Sequence, residues 1–255
     1  MQILTLTPDT IDRYGLFCVS NPKHAGFRRK KAWLEARFAE GMRFKLLLNT
    51  AGERGAFIEY GPGDKTWRAV EAPDDLVIHC MMAYPKKNKG RGYASALLKH
   101  CLDDARDSGF AGVAVVASEA PWLAGPALFR KHGFELIDES PPSFSLMLQR
   151  WREAPLPRFS GDFAARRRAY RGLHLLYTDQ CPFVAAAIDD LCGVAEAFGL
   201  EPQVEQLSTA EAARAKALSP YGVFSVVYDG QLLTDRYVSK RRFENILRKE
   251  VKLPV

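Results

Sequence analysis

Residues 87–94 read Lys87-Asn88-Lys89-Gly90-Arg91-Gly92-Tyr93-Ala94, and this octapeptide decides how the first half of the chain is understood. It follows an apolar run from Leu76 to Met82 that reads as a strand. It precedes Ala94, Leu97, Leu98, Cys101, Leu102 and Ala105, which recur at three- and four-residue steps as one buried helix face. A glycine turn between strand and helix lets the backbone approach a phosphate closely. Gly90 and Gly92 carry no side chain, and the first helical N–H groups point at an anion with the macrodipole behind them. Lys87, Lys89 and Arg91 add positive charge. Glycines at helix starts are common, so the turn alone specifies an anion site and no particular ligand.

Outward from this turn the chain alternates strands and helices. Ile3–Leu6 reads as a strand and Asp9 as the cap of a short helix. Phe27–Phe38 reads as a basic amphipathic helix, followed by strands Phe44–Leu48 and Ala56–Tyr60. Gly61-Pro62-Gly63 reads as a turn, with Trp67–Val70 extending the sheet. Beyond the helix that Gly109 closes, Gly112–Ala117 is an apolar run suited to a buried central strand. Pro126–Lys131 makes a short helix stopped by Gly133 as a left-handed cap. Phe134–Ile137 and Phe144–Leu148 are two more strands around Pro141-Pro142.

Between Trp151 and Arg171 the character shifts. Pro155, Pro157, Gly161 and the run Arg166-Arg167-Arg168 read as a solvated linker. A second alternating unit follows: strand Leu173–Tyr177, helix Val184–Phe198, strand Pro202–Leu207, helix Thr209–Ala217 and strand Phe224–Tyr228. Asp229-Gly230 then turns into strand Gln231–Thr234, and helix Arg241–Arg248 closes the order β-α-β-α-β-β-α. The division read from the sequence is residues 1–150, a linker 151–171, and a second domain 172–255.

Composition narrows the function classes. The formal charge of +6 over 255 residues is too small and dispersed to indicate nucleic acid as a partner, and nothing approaches the ~18 consecutive apolar residues of a membrane span. Met1-Gln2-Ile3-Leu4-Thr5 lacks the pattern of a secretory signal. Five widely spaced cysteines without a CxxC argue for a reducing, cytoplasmic setting and against a structural metal.

The turn resembles the Q/R-x-x-G-x-G/A signature of the GNAT acetyltransferases, with Lys87 in place of Gln or Arg. Ala127-Leu128-Phe129-Arg130-Lys131-His132-Gly133-Phe134 resembles the family's second segment, A-L-Y-x-K-x-G-F, at the expected distance. The resemblance implies an α/β fold in two parts: a GNAT acyl-CoA N-acyltransferase fold, whose mixed central sheet splays between its fourth and fifth strands, and a smaller α/β domain after it. It also implies acetyl-CoA as co-substrate, with pantetheine pairing near Met82 and Ala83. The pyrophosphate would lie on the amides of Gly90, Arg91, Gly92, Tyr93 and Ala94. A narrower resemblance, to the YoaP-type subgroup, rests on Phe57-Ile58-Glu59-Tyr60, Trp67-Arg68-Ala69-Val70, Ile78-His79-Cys80 and Pro121-Trp122-Leu123. It covers nearly the whole chain. The implied acceptor is the amine of a small molecule or peptide.

Acyl transfer to an amine needs a base for the ammonium proton, a donor for the thioester oxygen and a departing thiolate. Many GNAT enzymes use the tyrosine of the A-L-Y segment as the acid; here Phe129 stands there and cannot donate, leaving water or a hydroxyl such as Tyr93. Glu119, just past the strand Gly112–Ala117, is the leading base, with Glu59 and His79 as the others. Glu119 also reads as a cap or surface group, Glu59 as a partner of Arg68, and His79 as a hydrogen-bonded core residue. Phe129 also favours a rival function, a non-catalytic acetyl-CoA-binding sensor.

In the second domain, Leu175–Phe183 places Cys181 between a strand and a helix start, a position that depresses a thiol pKa. With its element order the domain resembles a thioredoxin-like fold. Val184 replaces the second cysteine of CxxC, so a dithiol oxidoreductase is disfavoured. What is left is a binding module or a thiol-dependent protein acting through Cys181.

Overall fold

The computed structural model describes residues 1–19, 21–85, 88 and 90–251. Contacts divide the chain into two compact units. The first comprises Met1–Ser20, Leu34–Thr66 and Val70–Phe159; the second comprises Asn21–Trp33, Trp67–Ala69 and Ser160–Val255.

The first unit is built on a seven-stranded sheet. Its strands in chain order are β1 (Gln2–Thr5), β2 (Arg43–Leu48), β3 (Arg54–Pro62), β5 (Asp75–Ala83), β6 (Gly112–Ser118), β7 (Glu135–Ser140) and β8 (Phe144–Arg150); β4 (Val70–Glu71) lies outside it. The spatial order is β1-β2-β3-β5-β6-β8-β7. Every neighbouring pair is antiparallel except β5 and β6, which are parallel. Side chains alternate across the pleat. Leu47, Ala56, Ile58, Tyr60, Leu76 and Ile78 enter one core with Leu97, Leu98, Cys101, Leu102 and Ala105 of helix α3 (Tyr93–Asp107). On β2 and β3 the intervening Phe44 and Phe57 stack with ring centroids 4.9 Å apart. All seven residues of β6 are buried, which is why that strand reads as a continuous apolar run.

Two polar knots set helix and strands in place. Asp104 of α3 accepts from the Tyr60 hydroxyl at 2.5 Å and pairs with Lys45 at 2.9 Å and Arg43 at 3.1 Å, which holds the helix to β2 and β3. At the other knot Asp75, wholly buried at the start of β5, pairs with Arg150 of β8 at 2.7 Å. Burial raises the Asp75 carboxyl above its usual range, and Arg150 opposes that rise. Arg150→Ala is therefore expected to cost about 3–5 kcal/mol of stability at neutral pH, because a buried charge loses its partner. The carboxyl then has a still higher folded pKa, so its protonated form fits the fold best and the loss shrinks as pH falls. Denaturant unfolding at about pH 7 and about pH 5 checks both statements, and an equal loss at the two pH values would contradict the second.

Local readings met several corrections. The first helix, α1 (Pro8–Tyr14), is capped by Thr7 rather than Asp9: Pro8 takes the first helical position, and the Thr10 hydroxyl accepts from the Thr7 amide at 2.7 Å. Gly61 and Pro62 continue β3, where they pair with Val77 and Leu76, and the turn comes later as a 3₁₀ segment at Gly63–Lys65. Trp67–Val70 does not extend the main sheet. Val70–Glu71 instead pairs with β9 (Arg158–Phe159) in a separate two-stranded sheet.

The second unit has a four-stranded sheet in the order β11-β10-β12-β13, from β10 (Leu173–Tyr177), β11 (Pro202–Gln206), β12 (Phe224–Tyr228) and β13 (Gln231–Thr234). β10 runs parallel to β11 and antiparallel to β12. Asp229 and Gly230, with φ of 48° and 83°, make the tight β12–β13 turn that the Asp-Gly pair signals. Helices α6 (Pro182–Ala197), α7 (Ala210–Lys216) and α8 (Lys240–Glu250) complete it.

Two segments distant in sequence belong to this unit. The start of α2 (Ala25–Phe38) is one: a Cβ on Gly26 would lie 2.0 Å from the Pro182 carbonyl oxygen, and Arg29 donates to the Ala185 carbonyl at 3.1 Å. Buried Arg68 is the other, donating to the Tyr221 carbonyl. The arginine run is not wholly solvated. Within the short helix α5 (Phe163–Arg167), Arg166 donates to the Arg214 and Ala217 carbonyls at 2.9 and 3.1 Å, and Arg167 to Leu218 at 2.7 Å. These carbonyls end α7 and beyond, where the helix supplies no donors of its own.

Candidate functional site

Parallel pairing of β5 with β6 covers only Asp75–Ile78 against Gly112–Val115. Beyond it β5 continues to Ala83 and β6 to Ser118, each still bonded on its other side to β3 and β8. The two strands thus part for the length of five residues of β5. Met82 and Ala83 end the unpaired stretch; Met82 is exposed and Ala83 part-buried.

The glycine turn comes next. Gly92 is the N-cap of α3 with φ 78° and ψ 1°, and Gly90 has φ 77°. Both are left-handed conformations that favour glycine. A Cβ at either position would meet no protein atom within 4 Å, so protein crowding is not what the missing side chains relieve. The first helical bond runs from Ala96 N to Gly92 O, which leaves the Tyr93, Ala94 and Ser95 amides without partners inside the helix. No acidic residue stands in the first turn of α3. The residues fit a bound phosphate.

Several residues brace this turn. Asn88 is buried and donates from its amide to the Tyr84 carbonyl at 2.9 Å, while its backbone N–H bonds Pro85 O at 2.8 Å. The Tyr93 ring occupies the space a side chain at Gly55 would need, 2.9 Å from that Cβ position. Ser95 Oγ lies 2.9 Å from His132 Nε2, which ties the helix start to the second glycine segment. None of these roles has a local sequence signal. Lys87 and Lys89 lie outside the described residues. Arg91 is exposed.

In the second segment, Pro126–Arg130 forms α4, and Gly133 closes it at φ 79° as expected. Phe129 is buried against Phe134, centroids 5.5 Å apart and nearly edge-on. No hydroxyl is available there.

Glu119 follows β6 directly, is exposed, and stands at the end of the parted strands. Its Oε2 lies 3.1 Å from where a Gly125 side chain would begin, so the carboxylate folds over the glycine that caps α4. Glu59 is buried on β3 opposite Cys80. His79 is buried with Nε2 3.2 Å from Thr66 Oγ1 and Nδ1 3.1 Å from the Val77 carbonyl. Both of its ring nitrogens face fixed partners, the arrangement of a structural histidine. Of the three, Glu119 alone is an exposed residue.

In the second unit Cys181 is the N-cap of α6. Its thiol is raised, not depressed. Burial is the dominant cause, and the amides of Val184 and Phe183 with the charges of Lys30 and Arg68 only partly counter it. The helix start was legible in the sequence; the cover over it was not. Iodoacetamide alkylation of Cys181 followed by mass spectrometry is expected to rise only above the ordinary thiol range near ~8.5, since the thiolate is the reacting species. Rapid labelling near neutral pH would contradict this. Among the described residues no group of His, Cys, Asp and Glu could hold a metal ion, and no helix is long and apolar enough to cross a membrane.

These features, a parted parallel strand pair leading to a glycine-capped helix, are those of the GNAT acyltransferase fold. The chain is 34% identical over 253 residues to the uncharacterized N-acetyltransferase YoaP of Bacillus subtilis, covering 97% of this chain and 98% of the relative. It belongs to the YoaP-type GNAT N-acetyltransferases. No protein-family model matches the chain. Similar solved structures include a ribosomal-protein-alanine N-acetyltransferase from Brucella melitensis, 16% identical over 59% of this chain and 100% of that one, with a TM-score of 0.44. Another is the GNAT-family N-acetyltransferase YhbS of Escherichia coli in complex with CoA, 16% identical over 58% and 80% of the two chains, with a TM-score of 0.39.

Proposed function

We propose that the chain transfers the acetyl group of acetyl-CoA to the nitrogen of an amine acceptor, with residues 1–150 as the acetyltransferase domain. The observation that carries this reading is the left-handed Gly92 cap of α3, directly downstream of the parted strands. Backbone groups of Met82 and Ala83 hold the pantetheine, and the amides from Gly90 to Ala94 hold the pyrophosphate, with Lys87, Lys89 and Arg91 adding charge. Phe129 packs beside the thioester end.

Glu119 acts as the general base. The acceptor arrives as an ammonium, gives one proton to the Glu119 carboxylate, and its freed lone pair attacks the thioester carbon. The C–N bond forms, the C–S bond breaks, the thiolate leaves with the electron pair, and the nitrogen gives its second proton to solvent to leave a neutral amide. With Phe129 in the usual acid's place, the thiolate takes its proton from solvent or from Tyr93. A coenzyme thiol is acidic enough to depart at modest cost.

We further propose that residues 151–171 connect to a second domain, 172–255, of thioredoxin-like type. Its sheet order and the placing of Cys181 between β10 and α6 support that reading. Val184 in place of a second cysteine and the raised Cys181 thiol favour a binding module over a redox enzyme.

Release of free CoA thiol on mixing the chain with acetyl-CoA and a panel of amines, amino acids, polyamines and peptides tests the activity. Release above the acceptor-free rate with at least one amine is expected. Release that no amine accelerates would remove the transferase reading.

A further inference from the structure

The two glycine segments of the first unit meet at one side-chain hydrogen bond. Ser95 Oγ lies 2.9 Å from His132 Nε2, which joins the third residue of α3 to the residue before Gly133 across thirty-seven positions. Both side chains are part-buried, and among the described residues no other hydrogen bond reaches either of them. Ser95 is also the last of the three residues whose amides have no partner inside the helix. A Cα–Cβ bond in an α-helix tilts toward the helix N-terminus, so the Ser95 side chain leans to the same end as those amides.

The direction of that bond decides what Ser95 offers a ligand. A hydroxyl has one proton and two lone pairs, and each nitrogen of a neutral imidazole is either a donor or an acceptor. If Nε2 accepts, the serine proton points at the imidazole and the oxygen turns only lone pairs outward, which repel an anion. If Nε2 donates, the oxygen accepts from it and the serine proton is free for a phosphate oxygen, beside the amide of the same residue. A hydrogen bond to an ionised acceptor is of the strong kind.

We infer that His132 is a positioning residue for the diphosphate of the coenzyme: its Nε2–H donates to Ser95 Oγ, and the Ser95 hydroxyl and amide together donate to the phosphate. The role rests on the acetyl-CoA site proposed above. It gives the segment Ala127–Phe134 a part that Phe129 cannot play. Through its histidine the segment acts on coenzyme binding, where an acid at position 129 would act on the leaving thiolate. Only the Nε2–H tautomer or the imidazolium serves this role, so bound coenzyme selects a protonated Nε2.

The test uses the full chain with ¹⁵N-labelled histidine at about pH 8, where an ordinary imidazole is neutral. Long-range ¹H–¹⁵N spectra tell a protonated ring nitrogen from a bare one, and His132 is identified among the five histidines by its absence in H132Q. With CoA bound, Nε2 of His132 is expected to carry a proton. Calorimetry gives a second reading. Ser95→Ala is expected to weaken CoA binding about tenfold or more, and His132→Phe about three- to tenfold, because the hydroxyl is then free to turn away. His132 acts through Ser95, so His132→Phe should weaken binding no further in a chain that already carries Ser95→Ala. His132→Gln keeps a donor on its amide nitrogen and should recover most of the affinity. A bare Nε2 in the complex, or losses that simply add, would overturn the role, and the spectroscopic reading on the unaltered chain stands even if a variant fails to fold. Saturable CoA binding with a bare Nε2 removes the His132 role alone; absence of CoA binding removes the site it rests on.

Discussion

Glu119→Gln is expected to lower kcat/KM by about 10²–10⁴-fold while leaving acetyl-CoA affinity nearly unchanged, the range lost when a positioned general base is removed. The residue follows the last residue of β6, beyond the parallel pairing that ends at Val115, and its carboxylate folds over the Gly125 cap of α4. Gln fills the same space and keeps hydrogen-bonding capacity, so the change removes basicity and little else. The proton must leave the ammonium before nitrogen can attack, so the deficit should shrink as pH rises toward the amine's own pKa. Steady-state kinetics across pH, paired with calorimetric titration of acetyl-CoA, read both quantities. Near-normal turnover would pass the role to buried Glu59 or His79, or to solvent.

Gly92→Val is expected to weaken acetyl-CoA binding by at least about tenfold, equivalent to about 1.4 kcal/mol. Two effects act together. A β-branched residue is strained at φ 78°, and its methyl groups would stand where the helix amides meet the pyrophosphate. A Cβ there meets no protein atom within 4 Å, so the chain itself has room for it and the obstruction falls on the ligand. Calorimetry on the variant, with circular dichroism to establish that α3 is intact, decides this. Unchanged affinity would move the site away from the turn.

What could be read from sequence follows from how local each cause is. A glycine that closes a short helix announces its left-handed backbone, and Gly133 adopts it; the strand-glycine-helix order announced the turn at Gly90 and Gly92, and their left-handed backbone is what the structure adds. The buried run of β6 and the Asp229-Gly230 hairpin are equally local. The cap of α1 was misread as Asp9, a good cap residue, although Pro8 favours the first helical position and so leaves the cap to Thr7. Bonds between distant segments left no trace. Asn88 braces the turn through the Tyr84 carbonyl, His132 reaches Ser95 across thirty-seven positions, and Arg166 and Arg167 satisfy carbonyls some fifty residues on. The same limit misjudged Cys181. Its helix-start position is a sequence property and lowers a thiol, but burial is tertiary and outweighs it. Nor did anything around Gly26 or Arg68 show that their segments fold with residues beyond 160.

The most direct measurement is mass spectrometry of the products after incubating the chain with [1-¹³C]acetyl-CoA and the amine panel. The predicted result is a ¹³C-labelled amide on an acceptor nitrogen, formed one for one with free CoA and reduced in Glu119→Gln. Saturable acetyl-CoA binding with no labelled amide beyond the uncatalysed background would contradict it. The chain would then be an acetyl-CoA-binding sensor, the reading that Phe129 in place of a proton donor favours.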